Sequence, residues 1–187
     1  MPGCKIDHSM DPVRERDYQA EDMTVDTDSR ITSRAPQRAA QLLLLRAVAV
    51  YTVVGLAAGL FYREFTKAYG YPEGLMGQLG LAHTHILTLG LIVLLIVLAL
   101  EKVFTLSASR LFRWFFWIYN AGVALTAAML VWHGMLQVQD LESSKMIAGI
   151  AGLGHMLVGA GLVLLLLSLR TAIRLGPIAA ESARQDS

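Results

Sequence analysis

Four long apolar blocks dominate the chain, over about Gln41–Phe65, Leu75–Leu100, Leu111–Gln137 and Met146–Leu169. Short polar joints separate them. A helix rises about 1.5 Å per residue, so about 20 apolar residues cross the hydrocarbon core of a bilayer. Each block reaches that length and predicts a transmembrane helix. The alternative, buried helices of a large soluble protein, fits poorly with four consecutive spans on short joints.

The joints are Tyr69-Gly70-Tyr71-Pro72, Thr105–Ser109 and Asp140–Ser144. Joints this short make sequential helices antiparallel neighbours. The expected fold is therefore an all-α membrane protein, an up-down bundle of four transmembrane helices over residues 39–172. Residues 1–38 are polar, with acids at Asp7, Asp11, Glu15, Asp17, Glu21, Asp22, Asp26 and Asp28. They offer too few apolar side chains to offset ordering entropy, so a disordered tail is expected there. Residues 173–187 are expected to form a second loose tail.

Positive charge sets the expected orientation. Arg34, Arg38, Arg46, Lys102, Arg110, Arg113, Arg170 and Arg174 fall on one side, and only Arg63, Lys67 and Lys145 on the other. Both termini and the middle joint are thus expected in the cytoplasm, with the first span as an uncleaved anchor. The formal net charge of +1, with no basic stripe, gives no nucleic-acid partner. The single cysteine, Cys4, excludes an internal disulfide and a Cys-rich metal site. No HExxH, GxSxG, P-loop or dinucleotide-binding fingerprint occurs, and no carboxylate lies in mid-span. The sequence thus assigns no reaction.

Candidate chemistry lies in the histidines. His83-Thr84-His85 sits inside the second span, His133 in the third and His155 in the fourth. Ionisable side chains at membrane depth are costly and mark pathways, cofactors or partners. Imidazole is a common ligand of metals and of haem iron. Counted from Gly74 and Met146, His83 and His155 lie at a similar depth, roughly 14 Å along their helices. All four fall in the outer half of the expected bilayer. Residues two apart on a helix point about 200° apart, so His83 and His85 serve two different sites. The alternative is that one hydrogen-bonds across a helix interface and the other faces a groove.

Gly149, Gly152, Gly154, Gly159 and Gly161 surround His155. Glycines either let helices approach closely or leave room for a flat ligand. Gly55 and Gly59 form a GxxxG packing signal in the first span. Tyr62, Arg63, Glu64 and Lys67 form a charged cluster at its outer end. These residues either anchor the helix at the interface or, through Arg63, pair with haem propionates. Asn120 is expected to make an interhelical hydrogen bond. Trp114, Phe115, Phe116, Trp117 and Tyr119 read as an interfacial aromatic belt.

His83-Thr84-His85, followed by Ile86-Leu87-Thr88-Leu89-Gly90, resembles the HxH-then-LG stretch of haem-copper oxidase catalytic subunits and of membrane haem proteins of the nitric-oxide-response type. More broadly, Gly55–Leu169 resembles an uncharacterised bacterial family of small four-helix membrane proteins. The residues that carry this likeness are Gly59-Leu60-Phe61-Tyr62-Arg63-Glu64-Phe65, Ala82-His83-Thr84-His85, Leu100-Glu101-Lys102 and Gly149-Ile150-Ala151-Gly152-Leu153-Gly154-His155. The family likeness implies the bacterial inner membrane. The oxidase likeness implies that an HxH helix ligates two haems, one on each side. Oxidase subunits build twelve helices as three four-helix arcs, which implies a homo-oligomer here, a trimer. The set of three copper histidines with a cross-linked tyrosine is missing, which speaks against oxygen reduction.

The leading expectation is a haem b protein for electron transfer or gas sensing. Its axial ligands come from His83, His85 and His155, within or between subunits, and Arg63 neutralises propionates. A non-haem copper or zinc site drawn from His83, His85, His133 and His155 is the second reading. A non-catalytic membrane scaffold or accessory subunit is the third. The bilayer is the one partner all three share, and no redox partner is identified.

Overall fold

A computed structural model describes the backbone of residues 12–72, 77–142 and 145–185, and the side chains of residues 36–72, 77–142 and 149–174. The chain divides into two units, Met1–Pro36 and Gln37–Ser187. In the first, the backbone is helical from Pro12. The start of the expected disordered tail, with Cys4 and His8, lies outside the described residues. So does the end of the C-terminal tail, whose backbone up to Gln185 is helical.

The second unit carries four helices long and apolar enough to cross a membrane. They are α1 (Pro36–Ala68), α2 (Gln78–Phe104), α3 (Arg110–Val138) and α4 (Lys145–Gln185), the last apolar over Gly149–Arg174. No strand occurs among the described residues. The protein is a multi-pass, all-α membrane protein built as a four-helix bundle.

Two of the helix ends are closed by the same device. At the end of α1, Gly70 adopts φ 62°, its N–H donates to Lys67 O (3.2 Å), and Tyr71 N–H donates to Thr66 O (3.0 Å). At the end of α3, Asp140 takes φ 55°, its N–H donates to Gln137 O (3.2 Å), and Leu141 N–H donates to Leu136 O (2.9 Å). This pair of bonds around a left-handed residue is the Schellman termination, which satisfies the last carbonyls and turns the chain.

The α2–α3 joint is built differently. Helix α2 runs four residues past the expected Leu100 and takes in Glu101, which is fully buried. The Glu101 carboxylate accepts hydrogen bonds from the Ser107 N–H (2.8 Å) and the Ser107 hydroxyl, which balances its burial. Thr105 turns left-handed (φ 50°), Leu106–Ala108 form a 3-10 turn, and the Ser109 hydroxyl caps α3 by accepting from Leu111 N–H (3.1 Å). From α1, the Gln37 amide donates to Glu101 O (3.0 Å) and Thr105 Oγ1 (3.2 Å).

Packing follows the glycines. Gly55 and Gly59 of α1 face Leu87 and His83 of α2, while Gly80 and Gly90 of α2 face Tyr62 and Tyr51 of α1. These pairings run antiparallel. Gly134 of α3 lies against the Leu79 backbone of α2. Gly122 of α3 meets α4 at Leu157 and Val158, and Gly154 and Gly161 of α4 meet Thr126 and Tyr119 of α3. Between α2 and α3 and between α3 and α4 the missing bulk lets the glycines meet backbone, and between α1 and α2 it makes room for side chains; such contacts give membrane helices contact energy in the absence of a hydrophobic drive.

The core lies toward the α2–α3 joint. Leu44 and Val48, Leu94 and Val97, Phe112, Phe115, Phe116, Tyr119 and Val123, and Leu165 converge there from all four helices. This corrects the aromatic-belt expectation. Trp114 and Trp117 are 61% and 62% exposed, as a belt requires, but Phe115 and Tyr119 are 0% and Phe116 only 6%. With 3.6 residues per turn, a run of five aromatics cannot all face lipid. The expectation for Asn120 is corrected too. Its side chain donates to Phe116 O of its own helix (2.7 Å), and only its backbone carbonyl links helices, accepting from Tyr51 Oη (3.4 Å).

Candidate functional site

Helix α2 carries two features at one place. Its first turns, Gln78–His85, are α-helical and hold His83 and His85. From Ile86 to Val93 the helix widens to π geometry. Such segments are rare and occur often at functional sites. Side chains of neighbouring helices meet this one. Tyr119 Oη donates to Leu89 O (3.0 Å), taking up a carbonyl of the widened turn. The Tyr51 ring lies over Gly90 so closely that a Cβ there would be 2.3 Å from Tyr51 Cγ. Neither tyrosine, nor the π segment, leaves a periodicity signal in the sequence.

The two histidines of the HxH have different surroundings. His83 faces α1, its ring stacked on Tyr62 (centroids 6.3 Å apart, planes 16° apart) and set against Gly59. Its Nδ1 is buried without a hydrogen-bond partner. His85 is half-buried, and its Nδ1 lies 2.9 Å from Leu81 O. On α4, His155 repeats the His85 arrangement, with Nδ1 2.9 Å from Ala151 O, but its ring is exposed.

A carbonyl only accepts, so in both His85 and His155 the proton sits on Nδ1. Each ring then carries its free lone pair on Nε2. This is the tautomer that metal-ligating histidines adopt when a backbone carbonyl fixes the other nitrogen.

The helix pairings also set their levels. Leu79 meets Gly134 and the Leu89 carbonyl meets Tyr119 on one side of α3, while Gly154 meets Thr126 on the other. Both His85 and His155 therefore lie near the level of Thr126, whose buried hydroxyl has no partner. From the first helical residues, His83 is roughly 8 Å along α2 and His155 roughly 15 Å along α4.

The glycines around His155 split by function. Gly154 and Gly161 are packing contacts with α3, whereas a Cβ on Gly149, Gly152 or Gly159 would meet nothing within 4 Å. Gly152, His155 and Gly159 follow one another at three and four residues, so they share one face of α4. That face is open, with the imidazole at its centre.

The other candidates lie elsewhere. His133 lines a hollow of about 290 Å³ with Gln78, Gln137, Asp140 and Leu141, near the α1–α2 and α3–α4 joints. Arg63 lines a larger one, about 760 Å³, with Tyr62, Thr66, Lys67, Gly70, Tyr71 and Pro72. Its guanidinium is 3.8 Å from Glu64, with both side chains largely exposed, a pairing worth little. Among the described residues no group of three or more His, Cys, Asp or Glu converges on one point.

A bundle of four apolar helices that carry the histidines defines the class: a small multi-pass integral membrane protein. The profile of the family described as Protein of unknown function (DUF2871) matches residues 43–172, and the chain belongs to that family. No curated protein and no solved structure gives a significant match.

Proposed function

We propose that the protein binds haem b through intramembrane histidines and serves electron transfer or gas sensing. The observation that carries this reading is the matched pair His85 and His155, at one level on α2 and α4, each with Nδ1–H held by its own helix and Nε2 free. As plain packing residues, both would leave a basic nitrogen unpartnered in an apolar setting, which costs free energy. As axial ligands, both nitrogens are used. Haem iron takes one or two protein ligands, whereas structural zinc takes four. Among the described residues no three such ligands converge, and one or two histidines suffice for haem.

The open Gly152–His155–Gly159 face gives a flat macrocycle room on α4. An exposed ring there also suits a haem shared with a neighbouring subunit, which supports a homo-oligomer; the trimer rests on the oxidase likeness alone. His83, on the α1 side, is the candidate ligand of a second haem, and Arg63 the cation for its propionates. The orientation proposed from charge places these histidines in the outer half of a bacterial inner membrane, with both termini cytoplasmic.

The test is an optical spectrum of protein purified in mild detergent from haem-replete cells, oxidised and dithionite-reduced, with metal analysis of the same sample. A Soret band with sharp reduced α and β bands is expected. His85→Ala and His155→Ala each lose the main haem, His83→Ala loses only the second, and His133→Ala retains both. Stoichiometric haem in both His85→Ala and His155→Ala would overturn the ligand assignment. A featureless spectrum would overturn the cofactor and leave a membrane scaffold.

A further inference from the structure

The 760 Å³ hollow beside the α1–α2 joint is lined by none of the histidines. Its walls carry two cations, Arg63 and Lys67, and two tyrosines, Tyr62 and Tyr71. The Schellman turn at Gly70 folds Tyr71 back beside Thr66 and so shapes the far wall. That turn also satisfies the last carbonyls of α1, which reduces the negative potential a helix C-terminus otherwise presents. The Thr66 hydroxyl is not free, since it donates back to Tyr62 O (2.8 Å) and lies 3.1 Å from Arg63 O. The cations and the tyrosines are the groups that line the hollow for a ligand. Among the described residues, Glu64 is the carboxylate against them, 3.8 Å from Arg63.

What lies below the hollow identifies the kind of ligand. Val53, Leu56, Leu60 and Lys67 recur at three, four and seven residues, so they share one stripe of α1 with Arg63 and Glu64 at its flanks. Val53, Leu56 and Leu60 are 68%, 63% and 60% exposed. The exposed apolar stripe ends at Lys67, on the wall of the cationic hollow. A soluble anion would use only the hollow, but an amphiphile with an anionic head would use both.

We propose that this hollow holds the phosphate of an anionic phospholipid, with its acyl chains along Leu60, Leu56 and Val53. Guanidinium pairs with phosphate oxygens in bidentate fashion, ammonium adds a second charge, and tyrosine rings are at home at headgroup level. The site uses no histidine and shares only Arg63 with the haem reading, where it is the cation proposed for the second haem.

The experiment is native mass spectrometry of the purified protein titrated with phosphatidylglycerol or phosphatidylcholine, at two salt concentrations. Preferential retention of phosphatidylglycerol is expected, weakening as salt rises. Arg63→Gln and Lys67→Gln each lower that preference about fivefold, the effect of one basic residue near an anionic surface. Arg63→Lys retains part of it, and Glu64→Gln strengthens it. Equal retention of the two lipids, or an unchanged preference in the Arg63→Gln/Lys67→Gln variant, would overturn the proposal. Glycerol phosphate displacing phosphatidylglycerol at similar concentration would also overturn it, by assigning the hollow to a soluble phosphate. The variants alter exposed side chains, and an unchanged melting temperature checks that they fold. Repeating the titration on His83→Ala and on His85→Ala/His155→Ala separates this outcome from that of the haem reading, since the first variant removes the haem that would share Arg63.

Discussion

Replacing Gly134 by alanine tests the packing argument most sharply, because the obstacle is backbone. A Cβ at Gly134 would lie 2.3 Å from Leu79 N and 2.6 Å from Leu79 Cα. Comfortable carbon contacts are about 3.5–4.0 Å, so α2 and α3 must part by about 1 Å where they meet. Overpacking typically costs about 1–3 kcal/mol, and with no flexible side chain to yield, the upper end of that range is expected. At about 2–4 °C per kcal/mol for a chain of this size, the melting midpoint in mild detergent falls by roughly 6–12 °C. Circular dichroism at 222 nm on heating reads this directly.

Two comparisons isolate the cause. Gly149→Ala places its Cβ in open space, so it gains up to about 1 kcal/mol from helix propensity alone. At Gly55 the clash is with the Leu87 side chain, 2.6 Å from Cδ2 and 2.8 Å from Cγ. Leu87→Ala therefore compensates Gly55→Ala, and the double variant is more stable than the two single losses add up to. Leu79→Ala leaves the Leu79 N and Cα in place and does not compensate Gly134→Ala. A Gly134→Ala protein that melts like Gly149→Ala, or is rescued by Leu79→Ala, would refute the close-packed α2–α3 contact.

Further outcomes follow from single contacts. Tyr119→Phe keeps the ring but removes the bond to Leu89 O, costing about 0.5–1.5 kcal/mol. It also speeds amide exchange within Ile86–Val93, measured by mass spectrometry, while exchange in α4 stays unchanged. Phe115→Ala empties a fully buried site and costs about 3–5 kcal/mol, whereas Trp114→Ala on the exposed side of the same turn costs far less. Equal losses in a thermal melt would restore the aromatic belt. Glu101→Ala strips Ser107 of the acceptor for its N–H and costs about 1–3 kcal/mol. Proteolysis at the α2–α3 joint should rise with it, and Glu101→Gln should recover part of the loss.

The sequence by itself determined the four spans, their antiparallel order and the positions of the joints. The reason is that hydrocarbon imposes one local rule on every residue: a spanning segment must be apolar and must satisfy its own backbone hydrogen bonds. That rule acts along the chain, so block length and loop length suffice. The same local logic separated His83 from His85, since the helix repeat fixes their directions.

Which neighbour each face meets is not a local property, and there the tertiary structure decided. Five glycines around His155 read alike in the sequence, yet two are packing contacts and three face open space. Five aromatics of α3 read as a belt, yet Phe115, Phe116 and Tyr119 turn into the core. Glu101 follows an apolar run and resembles a span boundary, but Ser107 draws it inside. The π segment at Ile86–Val93 is met from other helices by Tyr119, which bonds the Leu89 carbonyl, and by Tyr51, whose ring covers Gly90. The common level of His85 and His155 likewise depends on α3, which packs against both their helices and meets them near Thr126. Composition and period describe what a helix can bury; only the arrangement of its neighbours determines which of those residues it does bury.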